Sequence, residues 1–284
     1  MGILLTIAYD GTDYCGWQFQ ENGVSVFEVL GRAIEEIAGQ ALAQKRCQNQ
    51  RHRNDGCDDG FLQGFSLMGA SRTDAGVHAS GQKAHLIFEE PLKESFKVPL
   101  EKLPQVLNSV LPKDISVVET CEVPDSFHPI WDAKSKTYSY KIYNHSYRNP
   151  LLQRFSAFVP TPLDIKKMQE ACRHFVGEHD FAAFCAAGGS AKTTVRTIND
   201  LTVNGISGRA MHAPTDGASH VIEIIINGNG FLYNMVRIIA GTLVFVGLGK
   251  ISPDDIPEII LSKDRTKAGK TMPAEGLTLL EVFY

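Results

Sequence analysis

Residues 70–79, Ala70-Ser71-Arg72-Thr73-Asp74-Ala75-Gly76-Val77-His78-Ala79, combine the side-chain types best suited to chemistry. Asp74 follows Arg72 by two positions and precedes Gly76 by two. A cation beside a carboxylate favours its ionised form, which a nucleophile or base requires. Gly76 allows a sharp turn and close approach of a ligand to the backbone. The same string also fits an Asp-x-Gly turn with a surface arginine, so spacing alone leaves both readings open. Arg237 is a second candidate, because it interrupts a strongly apolar helical stretch. Such an arginine either finds an anionic partner in the interior or snorkels to solvent.

The elements that position these residues follow from hydrophobic periodicity. Residues 3–9 read as a strand, and 24–38 as a helix with the stripe Val26, Leu30, Ala33/Ile34 and Ile37, closed by Gly39. The polar stretch 40–60 reads as a solvated insertion. Strands are expected near 62–71 and 80–88, a helix near 103–110 with Pro104 at its start, and a strand at 115–122. The second half repeats the order. A strand at 137–143 leads to a helix opened by a capping-box-like Thr161-Pro162-Leu163-Asp164, with the stripe Ile165, Met168, Cys172 and Phe175. Strands near 194–204 and 219–227, a helix near 231–247, a short helix from Ser252-Pro253 and a strand at 276–283 complete it. Two successive split βαβ units predict an α+β protein with antiparallel sheets, divided into 1–125 and 126–284.

Composition narrows the chemistry. The formal net charge of −4 argues against bulk electrostatic coating of nucleic acid, so an RNA partner would need a local basic cleft. The six cysteines and nine histidines form no CxxC, no HExxH and no zinc spacing, so no metal is expected. Gly269-Lys270-Thr271 lacks the upstream glycine of a phosphate loop, since position 264 is Asp, and Gly228-Asn229-Gly230 lacks the third glycine of a dinucleotide fingerprint. No apolar run reaches the roughly 18 residues of a membrane span. The first residues turn polar at Asp10 and read as a strand, not a signal peptide. A cytoplasmic, membrane-free protein is the expectation.

Ser71-Arg72-Thr73-Asp74-Ala75-Gly76-Val77-His78-Ala79 closely resembles the catalytic signature of the tRNA pseudouridine synthase A family. Other motifs fall in that family's order: Tyr9-Asp10-Gly11-Thr12 with Gly16-Trp17-Gln18, Ser126-Phe127-His128, Tyr138-Ser139-Tyr140, Gly177-Glu178-His179-Asp180-Phe181, Phe231-Leu232-Tyr233-Asn234-Met235-Val236-Arg237 and Pro273-Ala274-Glu275-Gly276-Leu277. The resemblance spans nearly the whole chain apart from 40–60. It implies a pseudouridine synthase fold of two ferredoxin-like βαββαβ halves flanking a central cleft. The implied reaction isomerises uridine at positions 38–40 of the tRNA anticodon stem-loop, without cofactor, in a homodimer.

By the same resemblance Asp74 is the catalytic residue and Tyr138 the substrate-binding tyrosine, with Arg237 near Asp74. Arg72 either pairs with Asp74 or fills the space left by a flipped base. Leu232 belongs to the core or lines the pocket. Lys134, Lys136 and Lys141, and a second group of Lys263, Arg265, Lys267 and Lys270, are candidate phosphate contacts or simply solvated faces; Lys45, Arg46, Arg51 and Arg53 extend that choice into the insertion. His78 and His128 read as structural. Asp74 could attack ribose carbon 1′, add to uracil carbon 6 or remove the carbon 2′ proton, and the sequence does not separate these routes. The chain departs from the usual family pattern at Ser71 (Gly), Ile130 (Arg), Ser139 (Arg) and Phe27 (Gln). Two rivals are a non-catalytic RNA-binding protein, disfavoured by the carboxylate, and a hydrolase releasing uracil, for which no second acid stands out.

Overall fold

The computed structural model describes residues 2–43, 64–90, 96–189, 191–206 and 220–284. The chain forms two compact units, Met1–Ala133 with Tyr284, and Lys134–Phe283.

The first unit contains β1 (Gly2–Tyr9), α1 (Val26–Ala43), β2 (Phe65–Gly69), β3 (His78–Phe88), a 3₁₀ turn leading into α2 (Leu103–Asn108), and β4 (Ile115–Val123). Its strands lie in the order β4-β1-β3-β2, every neighbouring pair antiparallel. Ser25 starts α1 by accepting the Glu28 N–H on its side chain at 3.1 Å, the bond of a helix N-cap. The expected stripe then points inward, with Val26, Leu30, Ala33, Ile34 and Ile37 all buried. Ile34 and Ile37 meet Leu86 and Phe88 of β3 and Leu103 and Leu107 of α2 along one apolar seam. Asn108 closes α2 onto β4 through two 2.8 Å bonds with the backbone of Val117.

Gly39 does not close α1 as the sequence suggested. A glycine costs a helix about 1 kcal/mol relative to alanine, and the helix formers Gln40, Ala41, Leu42 and Ala43 carry it past that point. Residues 44–60 of the expected insertion, with Lys45, Arg46, Arg51 and Arg53, lie outside the described residues.

The second unit contains β5 (Ser135–Asn144), β6 (Ala157–Val159), α3 (Ile165–Cys172), β7 (Gly177–Asp180), β8 (Val195–Ile206), β9 (Val221–Gly228), α4 (Met235–Gly247), α5 (Ile256–Ser262) and β10 (Leu277–Phe283). The order β10-β5-β9-β8-β7 is antiparallel throughout, and β6 pairs with β5 in parallel. Two short strands, β6 and β7, are additions to the expected pattern. The α3 start also differs, because Asp164 rather than Thr161 caps it by accepting the Lys167 N–H. Asn144 explains the shift: its side chain binds the Thr161 carbonyl at 2.7 Å and the Leu163 N–H at 3.1 Å, holding 161–163 outside the helix.

α4 is apolar nearly all round and accordingly buried from Met235 to Gly247 at every position but Arg237 and Phe245. It begins at Met235, four residues later than the stripe suggested, because Asn234 adopts a left-handed conformation (φ 58°) that a continuous right-handed helix excludes. Segment 267–272 lies directly on this helix. A Cβ at Gly241 would overlap the Lys270 carbonyl oxygen, and Thr242 Oγ1 accepts the Gly269 N–H at 2.8 Å. Among the described residues no helix is long and apolar enough to cross a membrane.

The Gly241 contact leaves no room for a methyl group, and overpacking of this kind costs about 1–3 kcal/mol. Gly241→Ala is expected to lower the Tm by roughly 2–10 °C. Differential scanning calorimetry of the two proteins checks this; an unchanged Tm would contradict the close packing.

Candidate active site

Asp74 sits on a turn that is fastened from both sides by the chain's opening motif. Gly16 forms an isolated antiparallel bridge with Asp74. The Trp17 N–H donates to the Thr73 carbonyl at 3.0 Å, and the Gly76 N–H to the Tyr14 carbonyl at 3.3 Å. The turn closes on itself where Val77 N–H donates to the Asp74 carbonyl at 3.1 Å, with Gly76 at φ 77° as the third residue. That conformation favours glycine, which accounts for Gly76 in the string. Gly16 itself has φ 114°, and a Cβ there would overlap the Thr73 carbonyl.

The support beneath is buried and almost wholly aromatic. Trp17 is 1% exposed and lies so close to Gly69 that a Cβ on Gly69 would overlap the indole nitrogen. Tyr9 and Phe27 flank the indole at ring-centroid distances of 6.2 and 6.3 Å. The Tyr9 hydroxyl and Thr73 Oγ1 are 2.7 Å apart and hydrogen-bonded. Buried Gln82 donates to the Ser71 carbonyl at 2.6 Å, and Ala70 N–H donates to the Lys83 carbonyl. On the far side, buried His78 accepts the Gly11 N–H on Nδ1 at 3.0 Å, while Asp10 folds its own turn by accepting from the Thr12 N–H and hydroxyl. Alternation along this fastened backbone buries Ser71 and Thr73, leaves Asp74 half-buried and exposes Arg72. A carboxylate so held keeps some access to solvent while its backbone has little freedom.

In the second unit, Tyr138 lies on β5, 8% exposed, with its ring edge-on to Phe231 at 5.2 Å. Leu232 is buried in the turn before α4, with its N–H directed at Met235 Sδ. Arg237 is half-buried, and its guanidinium is aimed by two bonds: Nε donates to the Met272 carbonyl at 2.7 Å and a terminal nitrogen to Asn234 Oδ1 at 2.6 Å. The left-handed Asn234 is therefore a support of Arg237 that the sequence did not reveal; Asn before a helical arginine was its only signal. The Met272 carbonyl owes its place to the close packing of 267–272 on α4. The closing motif docks nearby, where the Tyr140 hydroxyl donates to the Pro273 carbonyl at 2.7 Å and Gly276 sits against the Tyr140 ring. Burial raises the Tyr140 hydroxyl pKa, so this hydroxyl is a donor and not a titrating group.

The candidate basic contacts divide clearly. Arg265 binds the Gly269 carbonyl at 2.9 Å and Thr271 Oγ1 at 3.1 Å, fastening the segment that supports Arg237. Lys263 pairs with Asp180 at 2.7 Å and Lys267 with Glu258 at 3.5 Å. The Lys263 ammonium, with the Thr194 hydroxyl, holds the Asp180 carboxyl below its usual range. Lys141 approaches Glu223 at 4.0 Å, and Lys134 is exposed. Lys136 is half-buried by surface exposure, and the desolvation of its ammonium lowers its pKa to about 8.

A family model described as tRNA pseudouridine synthase matches residues 5–132 and 171–284. The chain is 43% identical over 282 residues to tRNA pseudouridine synthase A of Thermoanaerobacter sp. (strain X514), covering 99% of both chains. It is 44% identical to the protein of the same name from Caldicellulosiruptor bescii and 42% to that of Geotalea uraniireducens, again with 99% coverage of each. The chain belongs to the tRNA pseudouridine synthase family, whose members are isomerases acting on tRNA.

Lys136 generates a pH prediction with a definite sign. In the unfolded chain it holds its proton up to about 10.5, whereas in the folded protein it releases it near 8. The folded state is therefore penalised below pH 8, and the penalty is relieved as pH rises from 8 to 10.5. Lys136→Met is expected to stabilise the protein by about 1–3 kcal/mol at pH 7, after allowance for solvent screening, with the advantage vanishing near pH 10.5. Urea titrations of both proteins at the two pH values check it; an equal advantage at both would contradict burial as the cause.

Proposed function

We propose that the protein converts uridine to pseudouridine at positions 38, 39 and/or 40 of the tRNA anticodon stem-loop, with Asp74 as the nucleophile and no cofactor. Family membership together with the fastened turn under Asp74 carries this reading. We further read each unit as a ferredoxin-like half, since each contains antiparallel strands in the order fourth-first-third-second of a βαββαβ core, and the protein as a cytoplasmic homodimer.

A uridine stacked in a stem is out of reach of a side chain until it leaves the helix, which costs a few kcal/mol. Tyr138 offsets part of that cost by stacking on the base, and Leu232 supplies apolar lining. Arg72, two residues before Asp74, supplies a cation that keeps the reacting carboxylate ionised, and Arg237 is the second candidate cation for the reaction. The bond between uracil N1 and ribose carbon 1′ then breaks, the ring turns, and carbon 5 bonds to carbon 1′. The proton lost from carbon 5 is balanced by one gained at N1, so the product is an isomer and no redox partner is consumed. A carboxylate acting on a glycosidic carbon has precedent in retaining glycosidases, and attack at carbon 1′ is the route that most resembles them. Among the candidates for phosphate contact, exposed Lys134 and partly exposed Lys141 are favoured over Lys136 and Arg265, which the fold already engages, and binding through them is expected to weaken steeply with salt.

Unmodified tRNA transcripts with uridine in the anticodon arm test the proposal. They are incubated without added cofactor with wild type, Asp74→Ala and Asp74→Asn, and pseudouridine is mapped by position. Product at 38–40 from wild type, reduced roughly 1000-fold or more in both variants, is expected. Equal product from all three would remove Asp74 from the centre of the reaction. Tight tRNA binding without product from any would leave an RNA-binding module.

A further inference from the structure

The loop between β4 and β5 holds a feature that the reaction does not use. Trp131 is 80% exposed, whereas tryptophan is highly buried on average. Its indole nevertheless has a fixed orientation, because it stacks on the His128 imidazole with ring centroids 3.8 Å apart and planes 8° from parallel. The imidazole is itself fixed. His128 Nδ1 accepts the backbone N–H groups of Ile130 and Trp131, both at 3.2 Å. Asp132 completes the turn, its carboxylate accepting the His128 N–H at 2.8 Å and its own N–H donating to the His128 carbonyl at 3.0 Å. Beneath, the Tyr284 hydroxyl donates to the Pro129 carbonyl at 3.0 Å, and the Phe127 and Tyr284 rings pack at 4.8 Å.

A loop folded through this many bonds around one aromatic ring has already lost the freedom that binding would otherwise remove. One face of the indole is occupied by the imidazole, and the exposure of the residue leaves the other to solvent. A two-ring column with one open end accepts a third flat ring. The Asp132 carboxylate is engaged by the loop backbone, while Lys134, two residues on, is exposed and able to meet a phosphate. We propose that the His128–Trp131 column is a stacking platform for an unstacked nucleobase of the tRNA substrate, separate from the residues assigned to the reaction. The assignment of tRNA rests on the function proposed above. A platform of this kind acts on affinity and placement, not on the bond-breaking step.

The chain has only two tryptophans, and Trp17 is buried, so exposed-tryptophan fluorescence reports Trp131 alone. Unmodified tRNA transcript is titrated into wild type, Trp131→Phe and Trp131→Ala, with Kd, KM and single-turnover pseudouridine formation measured on each. The wild-type minus Trp131→Phe emission is expected to be quenched on binding. Trp131→Ala is expected to raise Kd and KM roughly 5- to 100-fold, with the rate at saturating tRNA unchanged, and Trp131→Phe to stay within about threefold of wild type. Unquenched emission with a wild-type Kd for Trp131→Ala would overturn the platform while leaving the catalytic reading intact. Emission that depends on protein concentration without RNA, with Trp131→Ala shifting the sedimentation mass, would also overturn it and mark the surface as an interface between copies. Quenching by tRNA in a wild-type protein that makes no pseudouridine would support the platform and fail the catalytic reading.

Discussion

The seating of Trp17 against Gly69 is the contact on which the candidate site most depends. It brings the backbone of the opening motif against the turn that bears Asp74, so that Gly16 bridges Asp74 and Trp17 N–H binds Thr73. A side chain on Gly69 would displace the indole, and one on Gly16 would strike the turn itself. The arrangement fixes a carboxylate through its backbone neighbours and leaves the carboxylate half-buried. If Asp74 reacts as proposed, positioning held to within a fraction of an ångström would be worth several kcal/mol of barrier.

The second unit solves a related problem with different parts. Arg237 emerges from an apolar helix, where an unanchored guanidinium would be costly. Two acceptors aim it: the amide of a left-handed Asn234 and the carbonyl of Met272. The second acceptor depends in turn on Gly241 and Gly269, which let 267–272 lie on the helix backbone, and on Arg265, which fastens the same segment. Gly269, the glycine of the incomplete phosphate loop in the sequence, is therefore a packing position. Arg265, grouped by sequence with the candidate phosphate-contact lysines, is engaged by the fold.

Much of this was legible because the relevant signals are local. The α1 and α4 stripes, the positive φ of Gly76 and the two runs of alternating strand residues each follow from periodicity or from a single-residue preference. The departures have equally specific causes. Phe231 and Leu232 continue the α4 stripe in sequence, yet the chain before Met235 is a turn, because periodicity does not register one left-handed residue. The polar strand β7, Gly-Glu-His-Asp, has no apolar alternation and exists through pairing with β8. Asn144 holds Thr161 outside α3 from a distance of 17 residues, which no window along the chain would show. The long-range supports of the site, Gly69 beneath Trp17 and Gly11 beside His78, are glycines whose meaning appears only when the partner is in place.

The Gly16–Asp74 bridge sets the position of the carboxylate proposed to react. Single-turnover pseudouridine formation by Gly16→Ala, alongside its tRNA Kd and circular dichroism spectrum, tests that claim most directly. A rate reduced about 100-fold or more, with the fold and the Kd within about threefold of wild type, is the predicted result. A folded Gly16→Ala protein that reacts at the wild-type rate would contradict the account.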